Sequence, residues 1–219
     1  RFVDVPGLLS STYYLIVSTD GGATWTTATD PMLTVGDLKT ILPDPADPST
    51  WYLGTTNGVL KTVDGGASWN FENSGLQAAP IRRVVVDPHT AGTLFALPDA
   101  IGLTWHGMGL FKSTDGGSSW FPSGFGLPWG VNTLIADPLN PRTLYAAGPH
   151  NNGASFSHGF GVFKSGDGGA SWNEVWAIPT PGTTIYPLAI SPQVPNVLYA
   201  GVTACPYACT TNVATSSDA

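Results

Sequence analysis

Residues 113–120 read Ser-Thr-Asp-Gly-Gly-Ser-Ser-Trp, and near copies recur as STDGGATW from Ser18, TVDGGASW from Thr62 and SGDGGASW from Ser165. The starts lie 44, 51 and 52 residues apart. Each copy holds a hydroxyl residue (Ser18, Thr62, Ser113, Ser165), an aspartate (Asp20, Asp64, Asp115, Asp167) and two glycines (Gly21 and Gly22, Gly65 and Gly66, Gly116 and Gly117, Gly168 and Gly169). It closes on a tryptophan: Trp25, Trp69, Trp120 or Trp172. A second motif keeps step, as ILPDPADPSTWYLG from Ile41, VVVDPHTAGTLFA from Val84, LIADPLNPRTLYAAG from Leu134 and LAISPQVPNVLYAG from Leu188. A third, GVLKT, GLFKS or GVFKS, precedes each later box from Gly58, Gly109 and Gly161.

Every period therefore contains four short runs rich in β-branched and aromatic residues, separated by Asp-Pro or Asp-Gly-Gly turns. Four antiparallel strands in a period of about 40–50 residues predict an all-β chain of β-propeller blades. We call the strands of each blade A to D, with the box between C and D. Asp-Gly is a hairpin signal because glycine tolerates positive φ. The carboxylate and the leading hydroxyl are suited to bonding the N–H groups of the turn. The tryptophan is expected to be buried between its hairpin and a neighbouring blade. Four equivalent aspartates at four separate places cannot share one active site, so their role is structural.

The box resembles the BNR or Asp-box repeat of sialidases, xyloglucan-cleaving glycoside hydrolases, sortilin-type receptors and a photosystem assembly factor. The D-P-x-x-P-x-T-L-Y motif is most similar to the xyloglucanase and sortilin-like repeats. The resemblance implies a propeller fold over almost the whole chain. It implies no single function, because the superfamily spans enzymes, receptors and assembly factors.

Ser216, 51 residues after Ser165, opens a fifth box as Ser-Ser-Asp-Ala. No turn proline stands at the expected distance before Ser18. The blades are expected at 1–36 (partial), 37–79, 80–130, 131–183 and 184–219 (partial). The chain is thus expected to be part of a longer array, with further blades or neighbouring copies covering both ends.

Composition removes several classes of function. With 8 Lys and Arg against 15 Asp and Glu, net charge −7, the chain cannot build the basic surface a nucleic-acid partner needs. No run of about 18 apolar residues is present to cross a membrane as a helix. Cys205 and Cys209, in CPYAC, are close enough for a small disulfide loop of the kind secreted proteins carry; two free structural thiols are the alternative. Zinc would need more ligands nearby, and neither a metal nor a cofactor is expected.

Antiparallel order puts A–B and C–D turns on one face and the variable B–C and D–A loops on the other. The B–C loops are assigned to Leu97–Met108, Gly148–Phe160 and Thr203–Ala214. The D–A loops are assigned to Thr26–Asp37, Asn70–Pro80, Phe121–Val131 and Asn173–Tyr186. Length variation on a rigid scaffold is where binding concentrates. Candidate binding residues on this face are Asp99, Trp105, His106, Trp129, His150, Asn151, Asn152, Phe156 and His158. Aromatic rings with Asn, His and Asp beside them suit a sugar; the same rings also serve simply to order glycine-rich loops.

Catalysis has less support. The sialidase resemblance would require an arginine triad and a Tyr-Glu pair, yet the arginines are Arg1, Arg82, Arg83 and Arg142, without an F-R-I-P segment. A glycosidase needs two carboxylates facing across the sugar. Outside the repeat turns these would come from Asp4, Asp30, Asp37, Glu72, Asp99 and Glu174. The leading reading is a secreted, periplasmic or cell-surface propeller that binds or scaffolds a glycan or protein, without catalysis in this segment. The alternatives are a glycoside hydrolase fragment and a protein-binding propeller like the photosystem factor.

Overall fold

The computed structural model describes residues 2–3, 14–34, 36–76, 80–99, 109–128, 130–150, 159–194, 197–204 and 210–216. The chain is all-β, and its strands form five antiparallel sheets in chain order, the blades of a propeller. Its one helical element among the described residues is a single 3-10 turn, Pro31–Thr34.

The first sheet holds β1 (Phe2–Val3), β2 (Tyr14–Val17) and β3 (Thr26–Thr27). Three complete blades follow. They are β4 (Leu38–Pro43), β5 (Trp51–Thr55), β6 (Gly58–Thr62) and β7 (Asn70–Phe71); then β8 (Ile81–Val86), β9 (Leu94–Pro98), β10 (Leu110–Ser113) and β11 (Phe121–Ser123); then β12 (Thr133–Ala136), β13 (Leu144–Pro149), β14 (Phe160–Ser165) and β15 (Asn173–Ile178). The last sheet holds β16 (Thr183–Ile190), β17 (Leu198–Ala204) and β18 (Thr210–Ser216). Strands β4, β8, β12 and β16 neighbour one another in turn, so strand A is innermost in each blade.

Every assigned loop gives up residues to strand, and two shorten most. Segment Thr203–Ala214 lies largely in strand, because β17 and β18 pair from Leu198–Ser216 out to Ala204–Thr210. Likewise β15 and β16 extend into Asn173–Tyr186. Both stretches are rich in Thr, Val and Ile, which favour extended backbone.

The box behaves as a self-contained knot of hydrogen bonds. In the third copy Ser113 Oγ donates to Asp115 Oδ1 (2.8 Å) and accepts from Gly117 N (2.9 Å), while Asp115 Oδ1 accepts from Ser119 N (2.9 Å). The other three copies repeat the pattern, with Gly22, Gly66 and Gly169 donating to the hydroxyls of Ser18, Thr62 and Ser165. Gly116, with φ 70°, sits in the left-handed region that favours glycine. Its N–H reaches Gly92 O in the A–B turn (2.9 Å), as Gly65 N reaches Ser49 O and Gly168 N reaches Arg142 O. These bonds tie the A–B and C–D turns of each blade together on one face.

The hydroxyl and N–H donors hold the aspartates ionised to unusual acidity. Ser119, through its side chain and then its N–H, and next Ser113 bring Asp115 from 3.8 down to about 2. Ser171 and then Ser165 do the same for Asp167, also to about 2. Asp64 is lowered by Ser68 and Thr62, and Asp20 by Thr24 and Ser18.

Blades join through the box. Trp172 packs with Phe95, Leu110, Leu134, Leu144, Ala146 and Phe163, which come from its own blade and the blade before it. Trp120 packs with Tyr52 and Val59 of the preceding blade and with Leu94 and Phe111 of its own. Trp69 packs with Leu15 and Leu33 on one side and Leu53 and Leu60 on the other. Polar bonds seal each joint. Lys61 Nζ donates to Gly116 O (2.7 Å) and Lys112 Nζ to Gly168 O (2.8 Å). The two ammonium groups stand 5.6 and 5.5 Å from the ring centres of Tyr52 and Phe95. A Cβ on Gly169 would lie 2.9 Å from Phe95 Cε1, so only glycine lets the turn rest on that ring.

Trp69, Trp120 and Trp172 are 3%, 2% and 4% exposed, but Trp25 is 51% exposed, against the expectation that all four are buried. Each buried indole is covered by the blade preceding its own. Trp25 belongs to the first described sheet, with no described sheet on that side.

Trp120→Ala is expected to cost roughly 3–5 kcal/mol in chemical denaturation, while Trp25→Ala, already open to water, leaves the midpoint nearly unmoved. Acid supplies a separate check. The box aspartates have lower pKa values folded than unfolded, so the stability they contribute is complete above the unfolded value of 3.8 and is lost as pH falls toward about 2. Thermal midpoints should drop steeply across that window, and Asp115→Asn should lower the midpoint at neutral pH while making the acid-side fall shallower.

Candidate functional site

At the variable-loop end of the propeller the starts of four inner strands surround a hollow of ≈ 570 Å³. Its lining comes from Lys39 and Thr40 on β4, Arg82 and Arg83 on β8, Tyr186 on β16, Asn132 just ahead of β12, and Asp99 just after β9. In β4 and β8 a buried apolar residue, Leu38 or Ile81, is followed by two polar residues, as in Ile-Arg-Arg-Val-Val-Val at 81–86, whereas β12 and β16 open on threonine.

Backbone bonds anchor the polar groups. Asp99 N donates to Pro80 O (2.7 Å) and Asn132 N donates to Ala147 O (2.9 Å). Arg83 Nη1 donates to Thr133 Oγ1 (2.9 Å), which links β8 to β12 across the blade boundary. Arg82 Nη2 lies 3.2 Å from Asp99 Oδ1, an ion pair without the alignment of a hydrogen bond, since that oxygen is buried and accepts none. Lys39 Nζ pairs with Asp37 Oδ2 at 3.2 Å. Asn132 Oδ1 is also buried without a partner. Tyr186, 63% exposed, offers its ring to solvent at the rim.

The hollow gathers three of the chain's 8 Lys and Arg residues, while Asp99 is the one carboxylate in its lining. An otherwise acidic protein thus has a locally cationic hollow, with guanidinium and ammonium donors, an unengaged amide oxygen and an open aromatic face. Such a set can bond hydroxyl or anionic oxygens while the ring covers an apolar C–H face.

Of the residues singled out from the sequence, Asp99 lines this hollow. His150 stands outside its lining, with Nδ1 2.7 Å from Glu174 Oε1. Trp105, His106, Trp129, Asn151, Asn152, Phe156 and His158 lie outside the described residues, as do Cys205 and Cys209. Lys39, Arg82, Arg83 and Asn132 fall outside the variable loops assigned from the sequence, and Tyr186 closes the loop assigned to Asn173–Tyr186; no motif marks any of the five. Among the described residues no group of three or more His, Cys, Asp and Glu is placed to hold a metal ion. No helix among them is long and apolar enough to cross a membrane.

No protein-family model matches the chain. Among curated proteins it is similar to a xyloglucanase of Hypocrea jecorina, 28% identical over 138 residues, covering 62% of this chain and 15% of that protein. It is similar also to a probable oligoxyloglucan-reducing end-specific xyloglucanase of Neosartorya fischeri, 29% identical over 154 residues, covering 65% and 18%. Among solved structures a GH74 xyloglucanase from Xanthomonas campestris superposes with a TM-score of 0.74 at 20% identity, covering 98% of this chain and 34% of that one. The chain therefore spans well under half of each of these proteins, and it has the fold of the Asp-box β-propellers.

The Arg82–Asp99 pair is expected to contribute little to stability, because 40% of the arginine side chain is exposed. A double-mutant cycle of Arg82→Ala and Asp99→Ala should give a coupling of about 1 kcal/mol or less.

Proposed function

We propose that this chain is part of an extracellular propeller that binds an oligosaccharide in the hollow at the starts of β4, β8, β12 and β16. Asn132 Oδ1 carries the reading: a buried oxygen without a protein partner, in a hollow that also offers cationic donors. Burying an unpaired polar group costs about 1–3 kcal/mol, which a ligand hydroxyl would recover. Tyr186 supplies the face on which a sugar ring stacks, and Arg83 and Lys39 supply donors to its oxygens. The names of the relatives add support, since both curated proteins are called xyloglucanases. Secretion goes with that reading, because polysaccharides of this class lie outside cells.

Those names equally favour a second reading, that the chain belongs to a glycoside hydrolase whose chemistry is completed by residues elsewhere. With Asp99 as the single carboxylate in the lining, the hollow would then be a sugar subsite. A protein ligand on the same face is the remaining alternative for the binding role.

Titration calorimetry with xyloglucan oligosaccharides tests the proposal. Saturable binding is expected, weakened by about tenfold in Tyr186→Ala and in Arg83→Ala, with unchanged circular dichroism. Absence of binding to any neutral or acidic oligosaccharide would overturn it. Release of reducing ends by the chain during the titration would favour the hydrolase reading.

A further inference from the structure

In an unbroken strand consecutive side chains point to opposite faces, so two neighbours cannot both line one hollow. Yet Lys39 and Thr40 both line the hollow at the inner strands, and so do Arg82 and Arg83. A β-bulge at each place accounts for this. On β4, Leu38 faces Thr55 and Thr40 faces Gly54, which leaves Lys39 as an extra residue. On β8, Ile81 faces Pro98 and Arg83 faces Leu97, which leaves Arg82 extra. On β16, Ile185 faces Val202 and Leu188 faces Ala200, so Tyr186 and Pro187 share Gly201. The three bulges stand at matching places in strand B, beside Gly54, Leu97 and Gly201. They press closely on that strand: a Cβ on Gly54 would lie 2.8 Å from Thr40 Cγ2, and one on Gly201 2.8 Å from Pro187 Cδ. Three separate irregularities in three blades thus each deliver a side chain to one hollow.

The bulges bring charge with them. The lining holds three cationic side chains and one carboxylate, on a chain of net charge −7. That carboxylate, Asp99, is matched by Arg82, and Lys39 is matched by Asp37. Arg83 pairs with no carboxylate among the described residues. Its Nη1 donates instead to a neutral hydroxyl, Thr133 Oγ1, and Thr133 is buried, which holds the guanidinium in place. The Nε–Nη2 edge remains, two parallel donors whose spacing fits a planar carboxylate. A half-buried guanidinium without a counter-charge is costly, and an anionic oxygen offsets that cost more fully than a hydroxyl does. Concave walls of low dielectric also focus the field of like charges on whatever enters.

We infer that the hollow selects an acidic oligosaccharide, one whose rings carry a uronate carboxylate, over a neutral one. This rests on the proposal that the hollow binds an oligosaccharide, and it adds the chemical class. Arg83 takes the carboxylate on its Nε–Nη2 edge. Lys39 and Arg82, part-exposed at 34% and 40%, add attraction at the mouth. Tyr186 covers the C–H face of a ring. Asn132 Oδ1 and Asp99 Oδ1, both buried without a hydrogen-bond partner, accept from ring hydroxyls. A neutral glucan engages the ring face and the two oxygens but leaves the charge of Arg83 uncompensated.

Titration calorimetry of the 219-residue chain with a galacturonic acid tetramer, and with the same tetramer after its carboxyl groups are reduced to alcohols, tests this. The two probes differ only at the acid group. The acidic form is expected to bind more tightly by about tenfold or more at low salt. Raising the ionic strength from about 0.02 to about 0.3 M should narrow that preference. Arg83→Gln, which keeps amide donors and removes the charge, should abolish it. Arg142→Gln, in an A–B turn on the opposite face, should leave it unchanged, and circular dichroism checks that both variants fold. Equal or tighter binding of the neutral form would overturn the inference and leave the oligosaccharide site standing. Failure of every oligosaccharide, acidic or neutral, would remove the site itself and this inference with it. Equal loss of preference in Arg142→Gln would also overturn the inference, since the attraction would then belong to the chain's cations at large.

Discussion

Consecutive blades are held together where the box turn of one rests on the strand-B aromatic of the one before. A blade of four short strands has two apolar faces and cannot bury either alone. The box solves this by making the C–D turn a rigid object: the aspartate and the leading hydroxyl bond one another and accept the N–H groups of Gly117 and Ser119, while Gly116 N bonds the A–B turn. The turn can then be pressed onto Tyr52 or Phe95, with a lysine fastening the carbonyl of its first glycine. The tryptophan carries the apolar part of the same contact. Its burial adds a hydrophobic contribution, and the lysine adds a charge-assisted hydrogen bond to a fixed carbonyl.

Regular joints determine where the inner strands begin. Because blades stack at a repeating distance, the first residues of β4, β8, β12 and β16 converge on the axis at one end. Residues there touch across blades: Arg83 bonds Thr133 in the next blade, and Arg82 meets Asp99 at the top of its own. Polar side chains are tolerated at these starts because the hollow admits water. The apolar runs that follow are sealed by neighbouring blades. A cationic hollow on an acidic protein is therefore produced by geometry acting on a few scattered charges.

The joints and the strand starts answer to different demands. What repeats within this chain is the machinery of the joint, at each of the three blade boundaries filled by a box tryptophan. The residues at the strand starts and in the B–C and D–A loops are free of that duty, so likeness in fold does not carry likeness in ligand.

The repeat spacing and the S/T-x-D-G-G box by themselves determined the strand order, the hairpin at each box and the pairing of its two turns on one face. These are local consequences of turn chemistry and alternating hydrophobicity, and they need no knowledge of distant residues. They also pointed to Trp69, Trp120 and Trp172 as buried plugs. Only the tertiary structure decided that Trp25 is exposed, because burial of a box tryptophan depends on the blade before it and not on its own motif. The hollow was equally hidden. Lys39, Arg82, Asn132 and Tyr186 are separated by some fifty residues at each step, and each lies on or beside an inner strand with no motif around it. Their meeting is a property of how blades are arrayed about an axis, which no single period of the sequence contains.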